Sequence, residues 1–129
     1  MKYLTLIRWK NILIIETIML LIVLLFSQTI EIPMIQYMIG AGLIFASGNI
    51  INDIKDLEVD KINNKENIVH EIGTKRAFNL YLTLNTIGLV TSPNLGTTLL
   101  FASCIILLWL YSNSYIRGSF IKRFRVNDE

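Results

Sequence analysis

Three polar residues spaced four positions apart are the best candidates for chemistry in this chain. Asn52, Asp56 and Asp60 have this spacing, and Asp53 lies directly after the first of them. On an α-helix each step of four turns about 400°, so the three side chains drift by only about 80° and share one face. Mg²⁺ prefers such hard oxygen ligands, with water and substrate phosphates completing its shell. The spacing predicts a magnesium site formed by this ladder of side-chain oxygens (Asn52, Asp56, Asp60), with Asp53 pointing about 100° from Asn52 in a supporting role.

The same residues also fit a plainer interpretation, a solvated helix extension. Lys55 and Lys61 lie in the same segment and balance part of the acidic charge. Against this, like charges at helical spacing destabilise a helix, and a divalent cation would relieve their repulsion. From the residues alone, the metal site and the solvated helix both stay open.

The segments around the ladder are apolar enough to place it in a membrane. Ile (22) and Leu (19) together supply nearly a third of the 129 residues, and 53% of the chain is hydrophobic, which is far above soluble usage. Apolar runs predict helices at about residues 12–30, 33–62, 77–91 and 97–113, and a hydrocarbon core of about 30 Å needs about 20 such residues. We therefore expect an all-α integral membrane helical bundle of about four transmembrane helices, with residues 1–129 forming a single unit.

The positions of the charged residues predict the orientation of the chain. All 12 Lys and Arg residues fall before the first predicted helix, between the apolar part of the second (33 to about 51) and the third, or after the fourth. Because cytoplasmic loops carry the excess of basic residues, both termini and the ladder should be cytoplasmic, in the cell (inner) membrane. The 10 acidic residues nearly balance the basic ones, so no nucleic-acid partner is expected. One cysteine and one histidine exclude a disulfide framework or a multi-histidine metal site built from this chain alone.

The ladder and its surroundings resemble a known family. The stretch Ala-Ser-Gly-Asn-Ile-Ile-Asn-Asp-Ile-Lys-Asp-Leu-Glu-Val-Asp-Lys-Ile-Asn, residues 46–63, resembles the first aspartate-rich motif, N-D-x-x-D-x-x-x-D, of the UbiA-type intramembrane prenyltransferases. Residues 8–11, Arg-Trp-Lys-Asn, are similar to the R-x-x-N that opens the family sequence. Further similarity lies in the basic segment at 74–77 and in Tyr111-Ser112 followed by Arg117.

The resemblance implies half of a nine-helix bundle in which magnesium holds the diphosphate of a polyprenyl donor. The prenyl group would pass to an aromatic or glycerol-phosphate acceptor in quinone or lipid biosynthesis. Asp56 and Asp60 would be the catalytic ligands, and Asn52 and Asp53 would join them at the metal. The residues implied to bind diphosphate are Asn52, Lys61, Arg76, Arg117 and Asn11.

The chain also departs from the family pattern. Many members follow the first motif with an Arg-Pro pair that grips diphosphate, whereas residues 64–69 read Asn-Lys-Glu-Asn-Ile-Val, with Lys65 as the available cation. The family's second aspartate motif follows helix six, and this sequence stops at Glu129 after the fourth predicted helix. The resemblance thus implies a fragment whose site a second chain or a homo-oligomer would complete. The alternative is a small non-catalytic membrane protein, either a truncated relic or an assembly subunit.

Overall fold

The computed structural model describes residues 2–27 and 29–113, and the regular structure of this part is entirely helical. In chain order the helices are α1 (Lys2–Ile7), α2 (Trp9–Phe26), α3 (Ile32–Lys55), α4 (Leu57–Ile62), α5 (Val69–Ile72), α6 (Thr74–Val90) and α7 (Leu95–Tyr111). The predicted all-α fold class is confirmed.

Two of these helices are long and apolar enough to cross a membrane, namely α2 with 18 residues and α3 with 24. Helix α7 is apolar but has 17 residues, and α6 also has 17. No residue of α2 is buried within the bundle, and its exposed leucines and isoleucines would be costly in water. This distribution is that of a membrane helical bundle, in which apolar side chains face lipid.

The first long helix is displaced from its predicted bounds of 12–30. Helix α2 already begins at Trp9, because Asn11 N–H donates to Arg8 O at 2.9 Å. It ends at Phe26, where Ser27 is extended and its hydroxyl donates to Thr29 O at 2.8 Å. Hydropathy marks apolar side chains, whereas the helix ends depend on backbone hydrogen bonds.

The predicted helix 33–62 is interrupted at the ladder. Helix α3 begins at Ile32 with Pro33 in its first turn, a favoured place for proline. Between α3 and α4, Asp56 has φ −84° and ψ −4°. Its N–H still donates to Asn52 O at 3.0 Å, and Asp60 N–H donates to Asp56 O at 2.8 Å. The break is therefore one residue wide, and these two hydrogen bonds span it.

The two later helices lie close to their predicted positions. The segment predicted as 77–91 is α6, which begins three residues earlier, and the segment predicted as 97–113 is α7, which begins two residues earlier. The four-residue helix α5 was not predicted.

Helix α3 is central to the bundle and packs most closely against α6. A Cβ atom added at Gly40 would lie 3.1 Å from the backbone oxygen of Gly88 and 2.5 Å from Phe101 Cε2. Small residues permit this approach of helix backbones, as is common in membranes. Further along, Ser47 Oγ donates to Asn85 Oδ1 at 2.5 Å, a buried link between α3 and α6.

The main apolar core lies at the C-terminal end of α3, next to the ladder. Its buried members come from α1, α3, α5 and α6: Leu6, Ile50, Ile51, Val69, Ile72, Ala77 and Tyr81. Because Ile50 and Ile51 directly precede Asn52, packing of this core fixes the position of the first ladder residue.

Candidate functional site

A cavity of about 790 Å³ lies where α3 ends and α4 begins. It is lined by the end of α3, by α4, by the loop that leads to α5, and by α1 and the joint after it. Its lining residues are Thr5, Arg8, Asn52, Asp53, Asp56, Asp60, Lys65, Glu66, Asn67, Ile68, His70 and Glu71.

All three ladder residues line this one cavity. Asn52 lies twenty residues beyond Ile32, so the rise of α3 places it about 30 Å from the start of the helix. This distance matches the thickness of a hydrocarbon core. The cavity thus lies at the polar end of a membrane helix, where the charged head of a lipid-tailed molecule would be found.

Asp53 lines the same cavity, although its helical position predicted a direction away from Asn52. The reason is that the cavity extends around the end of α3 to the joint between α1 and α2. There Arg8 Nη2 donates to Asp53 Oδ1 at 2.9 Å. Asp53 thus lines the cavity from a different side of α3 than the ladder, and its supporting role at a metal stays a prediction.

Arg8 reaches Asp53 because the chain turns sharply between α1 and α2. Arg8 has φ 54° and ψ 55°, in the left-handed region. On the adjacent side, Asn49 Nδ2 donates to Ile7 O at 3.0 Å and ties the end of α1 to α3. The role of Arg8 in the cavity was not predicted from the sequence, where its only mark was its place in the R-x-x-N segment.

Asn67 is a second cavity residue that the sequence did not reveal. Its side-chain amide donates to Asp60 Oδ2 at 3.0 Å and to the backbone oxygen of Asp53 at 2.8 Å. Its side-chain oxygen accepts from Val69 N–H at 3.0 Å. The sequence shows only an asparagine in a polar segment, and asparagine is common in turns.

The cavity carries an excess of negative charge. Five carboxylates and two cationic side chains, Arg8 and Lys65, line it, and one of the five, Glu71, also pairs with exposed Lys2 at 3.7 Å. Such a surface attracts cations. Within residues 2–27 and 29–113, no three acidic, histidine or cysteine side chains lie close enough together to hold a metal ion by themselves. A metal here would need additional oxygen ligands.

The other residues that the resemblance implied lie elsewhere. In the described part of the chain, Lys61 on α4, Arg76 in the first turn of α6 and Asn11 in the first turn of α2 are exposed and do not line the cavity. Arg117 lies outside the described residues. Their predicted contacts with diphosphate stay predictions.

Two features lie deeper in the bundle. The Glu16 carboxylate of α2 lies against buried Gly42 of α3, so it faces the bundle interior. Between α3 and α7 there is an apolar groove of about 340 Å³, whose lining includes Tyr37, Phe45 and Phe101. This groove lies beside the middle of α3, whereas the ladder begins near the end of that helix.

The fold and the cavity define an all-α membrane protein with an acidic cavity at the polar end of a membrane helix. The model of the UbiA prenyltransferase family matches residues 12–128. The chain therefore belongs to the UbiA prenyltransferase family, as its aspartate motif predicted, and membership implies prenyltransferase activity in general. Comparison with curated proteins gives no match, and comparison with solved structures gives none.

Proposed function

We propose that this protein transfers a polyprenyl group from a prenyl diphosphate to an aromatic or glycerol-phosphate acceptor in quinone or lipid biosynthesis, with magnesium as cofactor. One observation carries the proposal. Asn52, Asp53, Asp56 and Asp60 line a single cavity at the polar end of α3, in a chain of the UbiA prenyltransferase family.

The donor atoms around the cavity fit magnesium. The ladder and Asp53 offer only oxygen ligands, and the excess negative charge favours a divalent cation. Asp56 and Asp60 would hold the ion, with Asn52 and Asp53 beside them. Proteins usually bind Mg²⁺ with one or two carboxylates, water and substrate phosphates, so a closed cage of three acidic side chains is not required. When bound, the ion would neutralise the charge that develops on the leaving diphosphate.

The cavity's cationic side chains would meet the remaining charge of the diphosphate. Arg8 and Lys65 already line the cavity, and Lys65 occupies the segment where many family members have their Arg-Pro pair. We therefore place Lys65 ahead of Lys61 and Arg76 as the first contact of the diphosphate. A flexible lysine acts here as a point charge and does not need the fixed geometry of a guanidinium.

The proposed location is the cell membrane, with the ladder on the cytoplasmic side. Lys55, Lys61 and Lys65 lie in the same polar stretch of the sequence as the ladder, in accord with the bias of cytoplasmic loops. A prenyl diphosphate would then lie with its tail among the apolar helices and its charged head at the cavity.

Turnover by the full chain in liposomes tests this proposal. Labelled prenyl diphosphate is supplied with Mg²⁺ or EDTA, together with aromatic or glycerol-phosphate acceptors. Asp56→Asn and Asp60→Asn should each lower turnover by about 100-fold or more, because the amide keeps the size but loses the charge that holds the metal. Glu58→Gln is the matched control, since Glu58 is exposed on α4 and does not line the described cavity.

Equal turnover in all three variants, or turnover unaffected by EDTA, would contradict the proposal. If prenyl transfer and prenyl diphosphate binding are both absent, the non-catalytic membrane protein becomes the better interpretation.

A further inference from the structure

We propose that Asn67 is a positioning residue that holds the Asp60 carboxylate in place for the metal-bound diphosphate. The inference rests on the proposed function, because it assigns a role to Asp60 at the metal. It concerns a residue that the family motif does not include and that lies in the segment where this chain lacks the Arg-Pro pair.

The side chain of Asn67 joins three separate pieces of the cavity wall. One amide hydrogen goes to Asp60 Oδ2 on α4, at 3.0 Å, and the other goes to the backbone oxygen of Asp53 at the end of α3, at 2.8 Å. The side-chain oxygen accepts from Val69 N–H, the first residue of α5, at 3.0 Å. Each polar atom of the side chain is thus engaged, which fixes the amide in one orientation.

These bonds act where the helix is interrupted. Asp53 O is one of the last carbonyls of α3, which lack intrahelical partners when a helix ends, and Asn67 supplies a donor to it. The same amide then orients the carboxylate of Asp60 across the break at Asp56. Partners of this kind, one step removed from a metal, orient its ligands and tune its affinity.

The chemistry of position 67 calls for a donor. Asp60 carries a negative charge beside other carboxylates of the cavity, so a carboxylate at 67 would repel it and an apolar group would leave it mobile. A neutral amide donates to Asp60 and to Asp53 O without adding charge. In this chain, the amide stabilises Asp60 of the ladder at a position that could have carried a cation for the diphosphate.

Binding of Mn²⁺ to the purified full chain, followed by electron paramagnetic resonance, tests the proposal without relying on turnover. Asn67→Ala should weaken Mn²⁺ binding by about tenfold, since loss of such orienting partners typically costs 10–100-fold. Asn67→Ser retains an oxygen able to accept from Val69 N–H but is too short to reach Asp60. It should therefore weaken Mn²⁺ binding similarly while preserving the start of α5. Asn63→Ala is the control, because Asn63 is exposed in the same loop and does not line the described cavity.

A double-mutant cycle with Asp60→Asn separates positioning from a general structural role. If Asn67 acts through the Asp60 carboxylate, Asn67→Ala should have no further effect on Mn²⁺ binding once Asp60 is Asn. The inference is overturned if both Asn67 variants bind Mn²⁺ within about twofold of the parent, or if the effect of Asn67→Ala is fully additive with that of Asp60→Asn.

The cycle also distinguishes a failure of the role of Asn67 from a failure of the proposed metal site. If Asp60→Asn weakens Mn²⁺ binding and the Asn67 variants do not, only the role of Asn67 fails. If Asp60→Asn itself leaves Mn²⁺ binding unchanged, the proposed metal site fails and the role of Asn67 fails with it.

Discussion

The ion pair between Arg8 and Asp53 should stabilise the protein measurably. Substitutions at Arg8 should also show how much free energy its left-handed backbone conformation costs. Arg8 Nη2 lies 2.9 Å from Asp53 Oδ1, and the pair joins residues 45 positions apart. Replacing Arg8 by Ala removes the guanidinium and leaves the Asp53 carboxylate beside Asp56 and Asp60. Replacing Arg8 by Gly removes the same group and also relieves the left-handed backbone.

The size of this stabilisation depends on how far the two side chains are exposed to solvent. A hydrogen bond to a charged group contributes about 1.5–3 kcal/mol, whereas an exposed ion pair contributes about 0–1 kcal/mol. The Asp53 side chain is only 16% exposed, but that of Arg8 is 44% exposed, so solvent screens the pair and we expect a coupling of about 1 kcal/mol. Arg8→Ala should cost about 2 kcal/mol, because it also strands a mostly buried carboxylate. Arg8→Gly should cost about 1 kcal/mol less than Arg8→Ala, since glycine adopts φ 54° without the steric penalty.

The assay is equilibrium unfolding of the full chain in lipid bicelles, followed by far-ultraviolet circular dichroism. It compares the parent, Arg8→Ala, Arg8→Gly, Asp53→Asn and the double variant Arg8→Ala/Asp53→Asn. The double variant should be more stable than the sum of the two single effects predicts, by the coupling energy of the pair.

Two results would refute this reasoning. Additive effects of Arg8→Ala and Asp53→Asn would mean that the pair contributes nothing to stability. Equal stability of the Ala and Gly variants would mean that the turn at Arg8 carries no left-handed strain.

Two further predictions concern topology and packing. A cysteine at Asn63 should react with an impermeant maleimide only from the cytoplasmic side and one at Leu95, which is 75% exposed, only from the opposite side; labelling of both from one side would contradict the proposed orientation. Gly40→Ala should destabilise the bundle by about 1–3 kcal/mol in the same unfolding assay, since its Cβ would lie 2.5 Å from Phe101 Cε2. Gly96→Ala, whose Cβ meets its nearest neighbour at 3.3 Å, should have the smaller effect, and the reverse order would refute the close approach of the helices.

The sequence predicted the helices and the ladder because both depend on local patterns. Long apolar runs marked α2 and α3, and the spacing of four brought Asn52, Asp56 and Asp60 to one cavity. These features follow from helical geometry and the thickness of the bilayer.

The features that the sequence did not predict depend on contacts between distant segments. Arg8 meets Asp53 only because α1 docks against α3 and the chain turns in a left-handed conformation. Asn67 meets Asp60 only because the loop before α5 folds back over the break in the helix. Glu16 faces inward because Gly42 leaves room for its carboxylate. Hydropathy and periodicity carry no information on such pairings.

The central claim is that the cavity binds a prenyl diphosphate through a metal held by Asp56 and Asp60. Isothermal titration of the full chain in detergent with geranyl diphosphate, with and without Mg²⁺, tests it most directly. The account predicts binding that requires Mg²⁺, is weakened about tenfold or more by Asp56→Asn and by Asp60→Asn, and is unchanged by Glu58→Gln. Binding that is independent of Mg²⁺, or that all three substitutions affect equally, would contradict it.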